Sequence, residues 1–523
     1  MEKPKYPVGI QTFSEIRNNG YVYVDKTEFI HTLATRGKYY FLSRPRRFGK
    51  SLLLSTIEAM FRGQRELFDG LYIADKDWEW VEHPVFHLAL NGQDYSSVGQ
   101  LDETLHNYMS IWERQYNLPK TNPGISVSTR FFNCIINAYE KTGRQVVILV
   151  DEYDQPLLQN IEQGKEDLHQ AMREHLQGFY SVMKSQDRYI RFAMLSGISK
   201  FSKVSVFSGL NNLQDISLSV QNNAICGISE TELERDFQIG IRQLAEVNEM
   251  TLQETKERLR REYDGYHFAK SGEGIYNPFS LLNTFEFDEF RHYWAASGTP
   301  RFLISLLKDK DWNLSEISGS KCSVDDIMGS DRYLNNPIPL LYQSGYLTIK
   351  NYDKRFDEFT MDYPNEEVSE GFAADLLKRY SDNDKTDTLI KDFVKDVEKG
   401  NAESFMRTLQ SLFADVPYDQ IVDKEMHYEN LMYLVMKLMG FYTHTEYKTS
   451  DGRIDMVVRT DRHIYVMEFK LHGTAEEAMA QIHEKNYIQP FIKEHKQIIL
   501  IGAAFSPQTR CLDKWIIEKL SNA

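Results

Sequence analysis

Cysteine is scarce in this chain. Its four copies, Cys134, Cys226, Cys322 and Cys511 among 523 residues, stand too far apart for a C-x-x-C metal pair or a dense disulfide framework. Such usage fits a reducing compartment, and a cytoplasmic location is expected. Also absent is any run of about 18 apolar residues able to span a bilayer. The opening MEKPKYPVGI has no apolar signal core, so no membrane partner is expected. No fixed-period repeat or low-complexity tract occurs, which excludes a solenoid. Positive charge is in deficit: 61 Lys+Arg against 76 Asp+Glu leave a net −15, which excludes adhesion to nucleic acid through bulk positive charge. Any such contact must be local.

What is present is an ordinary globular composition, 41% hydrophobic and 26% charged, neither disordered nor fibrous. At roughly 150 residues per domain the length calls for about three or four domains.

Tyr39-Tyr40-Phe41-Leu42 reads as a short buried strand and runs directly into Ser43-Arg44-Pro45-Arg46-Arg47-Phe48-Gly49-Lys50-Ser51. Leu52, Leu53, Ile57, Met60 and Phe61 then recur at helical spacing. Strand, loop and helix in this order are the context of a phosphate-binding loop. Gly49 allows close backbone approach, Lys50 would reach the β- and γ-phosphates of ATP, and Ser51 would ligate Mg²⁺. The usual pattern places a glycine where Arg44 stands, with Pro45 stiffening the loop. Arg46, Arg47 and Phe48 complete the expected ATP seat, without a division between binding and catalysis for the two arginines.

A second strand signal, Val146-Val147-Ile148-Leu149-Val150, ends in Asp151-Glu152-Tyr153-Asp154. Continuous β-branched runs suit parallel strands buried on both faces, and ligands bind at their C-terminal ends. Asp151 is therefore expected on Mg²⁺ and Glu152 as the general base toward the attacking water. An acidic helix cap is the plainer alternative for the pair. A third strand, Arg191 to Leu195, ends in Ser196-Gly197, so that the Ser196 hydroxyl could sense the γ-phosphate.

These residues, with Tyr6-Pro7-Val8-Gly9, Asp25-Lys26-Thr27 and Phe207-Ser208-Gly209-Leu210-Asn211-Asn212-Leu213, resemble the bacterial AAA-ATPase-like proteins. Members of that family commonly carry a C-terminal PD-(D/E)XK nuclease-superfamily domain. The resemblance covers nearly the whole chain, and in that family arginine at the first glycine position is usual. It implies an α/β P-loop NTPase of the additional-strand type over residues 1–229.

Residues 230–370 turn helical, with an acidic first turn at Glu230 to Glu234 and an amphipathic stretch from Leu252 to Tyr263, and read as a helical lid. Pro337 to Ile349 suggests a helix ended by Gly345 and followed by a strand, and Phe359 to Tyr363 a returning strand; together they form a winged-helix-like element. Residues 351–400 hold 14 acids against 8 bases, so a packing or regulatory role is expected there and not DNA contact. A helical connector over 371–415 leads to the last domain, 416–523.

His427 to Phe441 reads as an apolar helix closed by Gly440, with Glu429 as its isolated acid. Arg453 to Val458 and His463 to Lys470 read as two strands of a hairpin. Strand alternation puts Glu468 and Lys470 on one face and Met467 and Phe469 on the other. Asp455 on the neighbouring strand can then meet Glu468 and Lys470 around one Mg²⁺, a hard cation served by oxygen ligands. Asp455 and Glu468 would bind the metal, and Lys470 would orient the nucleophile and stabilise developing charge. A solvated edge strand is the alternative for Glu-Phe-Lys alone. This Asp…Glu-x-Lys arrangement is similar to that of PD-(D/E)XK nucleases. The resemblance adds Glu429 as a further metal-site acid, Gln481 as an accessory residue, and a restriction-endonuclease-like α/β fold.

The expectation is an ATP-hydrolysing protein with a Mg²⁺-dependent DNA endonuclease domain, in bacterial DNA processing, mobile-element or defence function. ATP and Mg²⁺ are the cofactors and DNA the partner, with RNA and a homo-oligomer left open. The alternative is an ATP-switched signalling NTPase whose nuclease-like domain binds nucleic acid or protein without cutting.

Overall fold

The run Tyr39–Ser43 is buried along its whole length as β1, because aromatic and apolar residues occupy both faces of the strand. In the computed structural model four more strands join it: β2 (Val85–Ala89), β3 (Val146–Asp151), β4 (Ile190–Gly197) and β5 (Gln214–Asp215). Their order is β2-β3-β4-β1-β5, and each neighbouring pair is parallel. Strand β4 thus separates β1 from β3.

Residues 3–121, 124–161, 164–200, 206–207, 209–296, 303, 307, 312–329, 336–381, 386–414, 424–440, 444–450, 453–470, 472–506 and 512–520 are described. Ser208, Gly452 and Cys511, and the side chain of Asp455, lie outside them.

Helix α1 (Lys50–Phe61) follows β1 and lays Leu54, Ile57 and Phe61 inside, with the Phe61 ring 5.3 Å from that of Phe192 on β4. The other face of the sheet is closed by α2 (Val98–Gln115), α3 (Val127–Thr142) and α4 (Glu166–Ser185). Phe41, Phe86, Ile148 and Leu195 of the strands pack there with Trp112, Phe131 and Phe179 of these helices. Each such side chain stabilises the fold by about 1.5–3 kcal/mol through burial. Ser97 and Ser126 start α2 and α3 by accepting the backbone N–H of Gln100 and Thr129, and Gly143 at φ 66° ends α3 in the left-handed region.

After the parallel sheet come a two-stranded ribbon, β6 (Ile228–Ser229) with β7 (Ile275–Tyr276), and α5 (Pro278–Phe287), started by the Asn277 side chain. Next are β8 (Lys321–Ser323), α6 (Ile338–Ser344), β9 (Thr348–Asp353) and β10 (Glu358–Asp362), whose strands form an antiparallel sheet in the order β8-β10-β9. Gly345 at φ 91° ends α6, every residue of which is buried.

The chain divides into two compact units: 1–297 with 319–367, and 298–318 with 368–523. Helix α7 (Glu366–Ser381) therefore begins in the first and continues in the second. The second unit carries α8 (Lys424–Gly440) and α9 (Ala475–Glu484) on a sheet of β11 (His444–Ser450), β12 (Arg453–Arg459), β13 (His463–Lys470), β14 (Gln497–Phe505) and β15 (Leu512–Leu520) in sequential order. Only β13 and β14 are parallel, and α9 supplies the crossover between them. The helix lies so close to β14 that a Cβ on Gly502 would come within 2.6 Å of the Met479 backbone nitrogen. Ile464, Val466, Met479, Ile482 and Leu500 form the core between them.

Candidate functional sites at two strand ends

The loop after β1 turns into α1 at Gly49, whose φ of 87° belongs to the left-handed region that glycine reaches without strain. The turn brings Lys50 and Ser51 to the start of the helix, where unpaired backbone N–H groups favour negative charge. Asp151, at the end of β3 and 3% exposed, receives two hydroxyl bonds. Ser51 Oγ donates to its Oδ2 at 2.5 Å, and Ser196 Oγ, from the end of β4, donates to its Oδ1 at 2.6 Å. The structure thus brings Ser51, Asp151 and Ser196 together across β1, β4 and β3.

Glu152 follows Asp151 in the left-handed region at φ 52°, an uncommon conformation for glutamate, with its own N–H donating to Asp151 Oδ1 at 3.1 Å. Its half-buried carboxyl titrates above the usual range because burial disfavours the charge; Lys50 opposes this, Asp151 and Asp154 reinforce it, and Arg46 opposes it. Lys50 Nζ donates to the carbonyls of Arg44 and Pro45 at 3.0 Å each, so its ammonium is tied to its own loop.

Other loop residues point elsewhere. Arg46 is exposed, and the Arg47 guanidinium lies 4.7 Å over the Phe279 ring. Phe48 is buried between Tyr266 and Phe268, leaving only its backbone to the loop. Beside the loop is an apolar cavity walled by Val24, Phe48, Leu52, Cys226, Ile228 and Leu282.

Two residues carry more structure than their sequence suggests. Arg44 is 1% exposed and donates to the carbonyls of Ser43 and Ser217 at 2.9 Å and Asn222 at 3.0 Å, with its guanidinium 4.3 Å over the Phe268 ring. It staples the loop to residues 217–222, work that glycine has no atoms to do. Asp154 Oδ2 accepts the Ser199 N–H and hydroxyl at 2.6 Å each and the Ile198 N–H at 3.1 Å, fixing the end of β4. The D-E-Y-D run was its only signal.

In the second unit, Glu468 is 0% exposed near the end of β13, the central strand of its sheet, so the solvated-edge alternative does not apply. Lys470 Nζ donates to Glu468 Oε1 at 3.0 Å and to Gln481 Oε1 of α9 at 2.5 Å. Glu468, Lys470 and Gln481 are thus one cluster. The antiparallel register puts Asp455 of β12 directly opposite Glu468. Glu429 is half-buried on α8, which packs along β11. No described helix is long and apolar enough to cross a membrane.

These features define a mixed α/β protein with a P-loop-like domain and a nuclease-like domain. Residues 7–207 match the family described as "Predicted AAA-ATPase", and residues 423–515 match the PD-(D/E)XK nuclease superfamily. The chain is 35% identical to a protein of Azotobacter chroococcum mcd 1, described as an uncharacterized protein in the vnfD 5' region, over 99% of this chain and 100% of that one. The chain belongs to the AAA-ATPase-like family with a C-terminal PD-(D/E)XK nuclease-superfamily domain. No solved structure matches it.

Proposed function

We propose that the protein hydrolyses ATP in its first unit and cuts DNA in a Mg²⁺-dependent manner in its second. The observation that carries the ATPase reading is the Ser51–Asp151–Ser196 cluster, three oxygen-bearing side chains converging at adjacent strand ends beside Lys50 and Glu152. Ser51 and Asp151 would hold Mg²⁺, whose all-oxygen preference they match. Lys50, whose ammonium has a third N–H beyond those given to the Arg44 and Pro45 carbonyls, neutralises the β- and γ-phosphates. Glu152 takes the proton of the water that attacks the γ-phosphorus, a task its raised carboxyl suits. Ser196 reads the γ-phosphate.

In the second unit Asp455 and Glu468, with Glu429 as a further acid, would hold Mg²⁺. Lys470, steadied by Gln481, orients the water whose attack on phosphorus breaks the P–O bond to the leaving strand. At either site the bound cation supplies charge neutralisation and a lower pKa for nearby water. We read 321–362 as a winged helix, from the β8-β10-β9 order and the intervening helix. The complete burial of α6 supports packing and not groove reading.

Lys50→Ala should abolish ATP turnover and weaken nucleotide binding; unchanged values for both would overturn the ATPase reading. Asp455→Ala and Lys470→Ala should each abolish Mg²⁺-dependent cleavage of a labelled plasmid, and persistent cleavage in both would remove the nuclease assignment. The self-tied Lys50 favours a gated site, which keeps a signalling NTPase as the second reading. DNA binding without cleavage, unaffected by Mg²⁺ or by Asp455→Asn, would establish it.

A further inference from the structure

The phosphate loop is held from outside by a tryptophan 248 residues away: Trp294 Nε1 donates to the Arg46 carbonyl at 3.2 Å. The indole also packs 5.0 Å from the Tyr346 ring, centroid to centroid. Pro45 fits against Gly345, where a Cβ would come within 2.7 Å of the proline ring. Carbonyls 44, 45 and 46 are therefore all engaged, the first two by Lys50 and the third by Trp294. When a phosphate engages the Lys50 ammonium, which has three N–H donors, its ties to carbonyls 44 and 45 are redistributed, and the backbone that carries them is the backbone that Trp294 grips.

Trp294 is gripped in turn. Its backbone N–H donates to Glu367 Oε1 at 2.7 Å and Ser280 Oγ at 3.2 Å, and Ser280 Oγ donates to the same Glu367 oxygen at 3.0 Å. Glu367 is 0% exposed and is the second residue of α7, the helix that carries the chain into the second unit.

Resting on the ATP-binding reading, we propose that Trp294 is a positioning residue that holds the phosphate loop in its self-tied state, and that Glu367 transmits release of that state to the start of α7. Neither residue touches nucleotide; both act through the Arg46 carbonyl. ATP binding would thereby alter the anchoring of the helix leading to the nuclease.

The test uses the full chain, a fluorescent ATP analogue with Mg²⁺, and hydrogen exchange of residues 366–370 with and without a non-hydrolysable ATP analogue. Trp294→Phe keeps the ring and removes the indole N–H. It should tighten nucleotide binding by about fivefold, the worth of one neutral hydrogen bond, and abolish the nucleotide-induced change in exchange at 366–370. Glu367→Ala should also abolish that change, while Glu367→Gln, which keeps the acceptor for the Trp294 N–H, should retain it. If wild type binds nucleotide but Trp294→Phe stays within about twofold of its affinity, or residues 366–370 do not respond in wild type, the proposal is overturned and the ATPase reading stands. If wild type binds no nucleotide, both fall.

Discussion

Asp151 and Glu468 are both acids buried at the ends of sheet strands, yet they are stabilised in opposite ways. Asp151 is served by neutral donors, two serine hydroxyls and the Glu152 N–H, whereas Glu468 is served by the Lys470 ammonium. A hydroxyl can turn from a carboxylate to a cation without leaving a charge unpaired, so the first arrangement can open and close cheaply. An ion pair whose carboxylate is 0% exposed loses far more if its ammonium is removed, because a desolvated charge remains. The first site is suited to repeated exchange of ligands, and the second to a fixed constellation.

The largest effect expected from this contrast is chemical. Glu152→Gln should leave ATP binding near wild type and reduce turnover by about 10²- to 10⁴-fold, the range for loss of a general base. Single-turnover hydrolysis with a separate binding titration checks it, and equal loss in both would assign Glu152 to binding. The pH profile of kcat/KM, which reports the free enzyme, should also fall on acidification at a pH above the ordinary glutamate range, since burial raises this carboxyl and the base must be ionised.

Next comes stability. Lys470→Ala should destabilise β13 locally by about 3–5 kcal/mol, because it takes the ammonium away from the fully buried Glu468 carboxylate. Asp151→Ala should cost β3 only about 1–2 kcal/mol, because the hydroxyls left behind are neutral. Amide hydrogen exchange resolves the two strands separately, and equal losses would break the comparison.

A third acid, Glu367, extends the contrast to a second buried carboxyl held by neutral donors, the Ser280 hydroxyl and the Trp294 N–H. Burial pushes Glu367 up to about 7, against opposition from its hydrogen bonds to Ser280 and the Trp294 N–H and from His292; Tyr263, Tyr266 and Tyr293 also face it. The folded form then holds its proton more tightly than the unfolded chain. Its contribution to stability is present in full below about pH 4.5 and is lost as pH rises to about 7, at most about 3 kcal/mol. Glu367→Gln should remove that part of the pH dependence in denaturant titrations of the first unit. A slope between these pH values equal to that of wild type would refute it.

Much of the fold around both candidate sites was legible because its signals are local. Val146 to Val150 is apolar throughout because β3 is buried on both faces, and the candidate residues Asp151 and Glu152 follow at its end. Glu468 and Lys470 share a face by simple alternation. Pairings made only by folding were not legible: Lys26 with Glu232 across 206 residues, and Trp294 with Arg46 across 248. Arg44 is the instructive case, because the loop pattern treats it as a missing glycine, whereas its four nitrogen-to-carbonyl bonds and its stacking on Phe268 make it a structural element. No spacing rule announces which carbonyls a side chain will find.

The smallest predicted effect isolates what Ser196 contributes to the first site. Its hydroxyl is one of two on Asp151, and Ser196→Ala leaves the Ser51 bond and the Glu152 N–H in place. The loss of stability should be about 1 kcal/mol, that of one ordinary hydrogen bond, since Asp151 keeps the other two. Ser196 lies on the strand between the loop strand and the acidic strand, so a hydroxyl that turns from Asp151 toward a γ-phosphate would distinguish ATP from ADP. Ser196→Ala should therefore narrow the ratio of ATP to ADP affinity while changing ADP affinity little. If both affinities fall together, the hydroxyl only positions Asp151; if the ratio alone narrows, hydroxyl service of the buried acid is what makes this site responsive to its ligand.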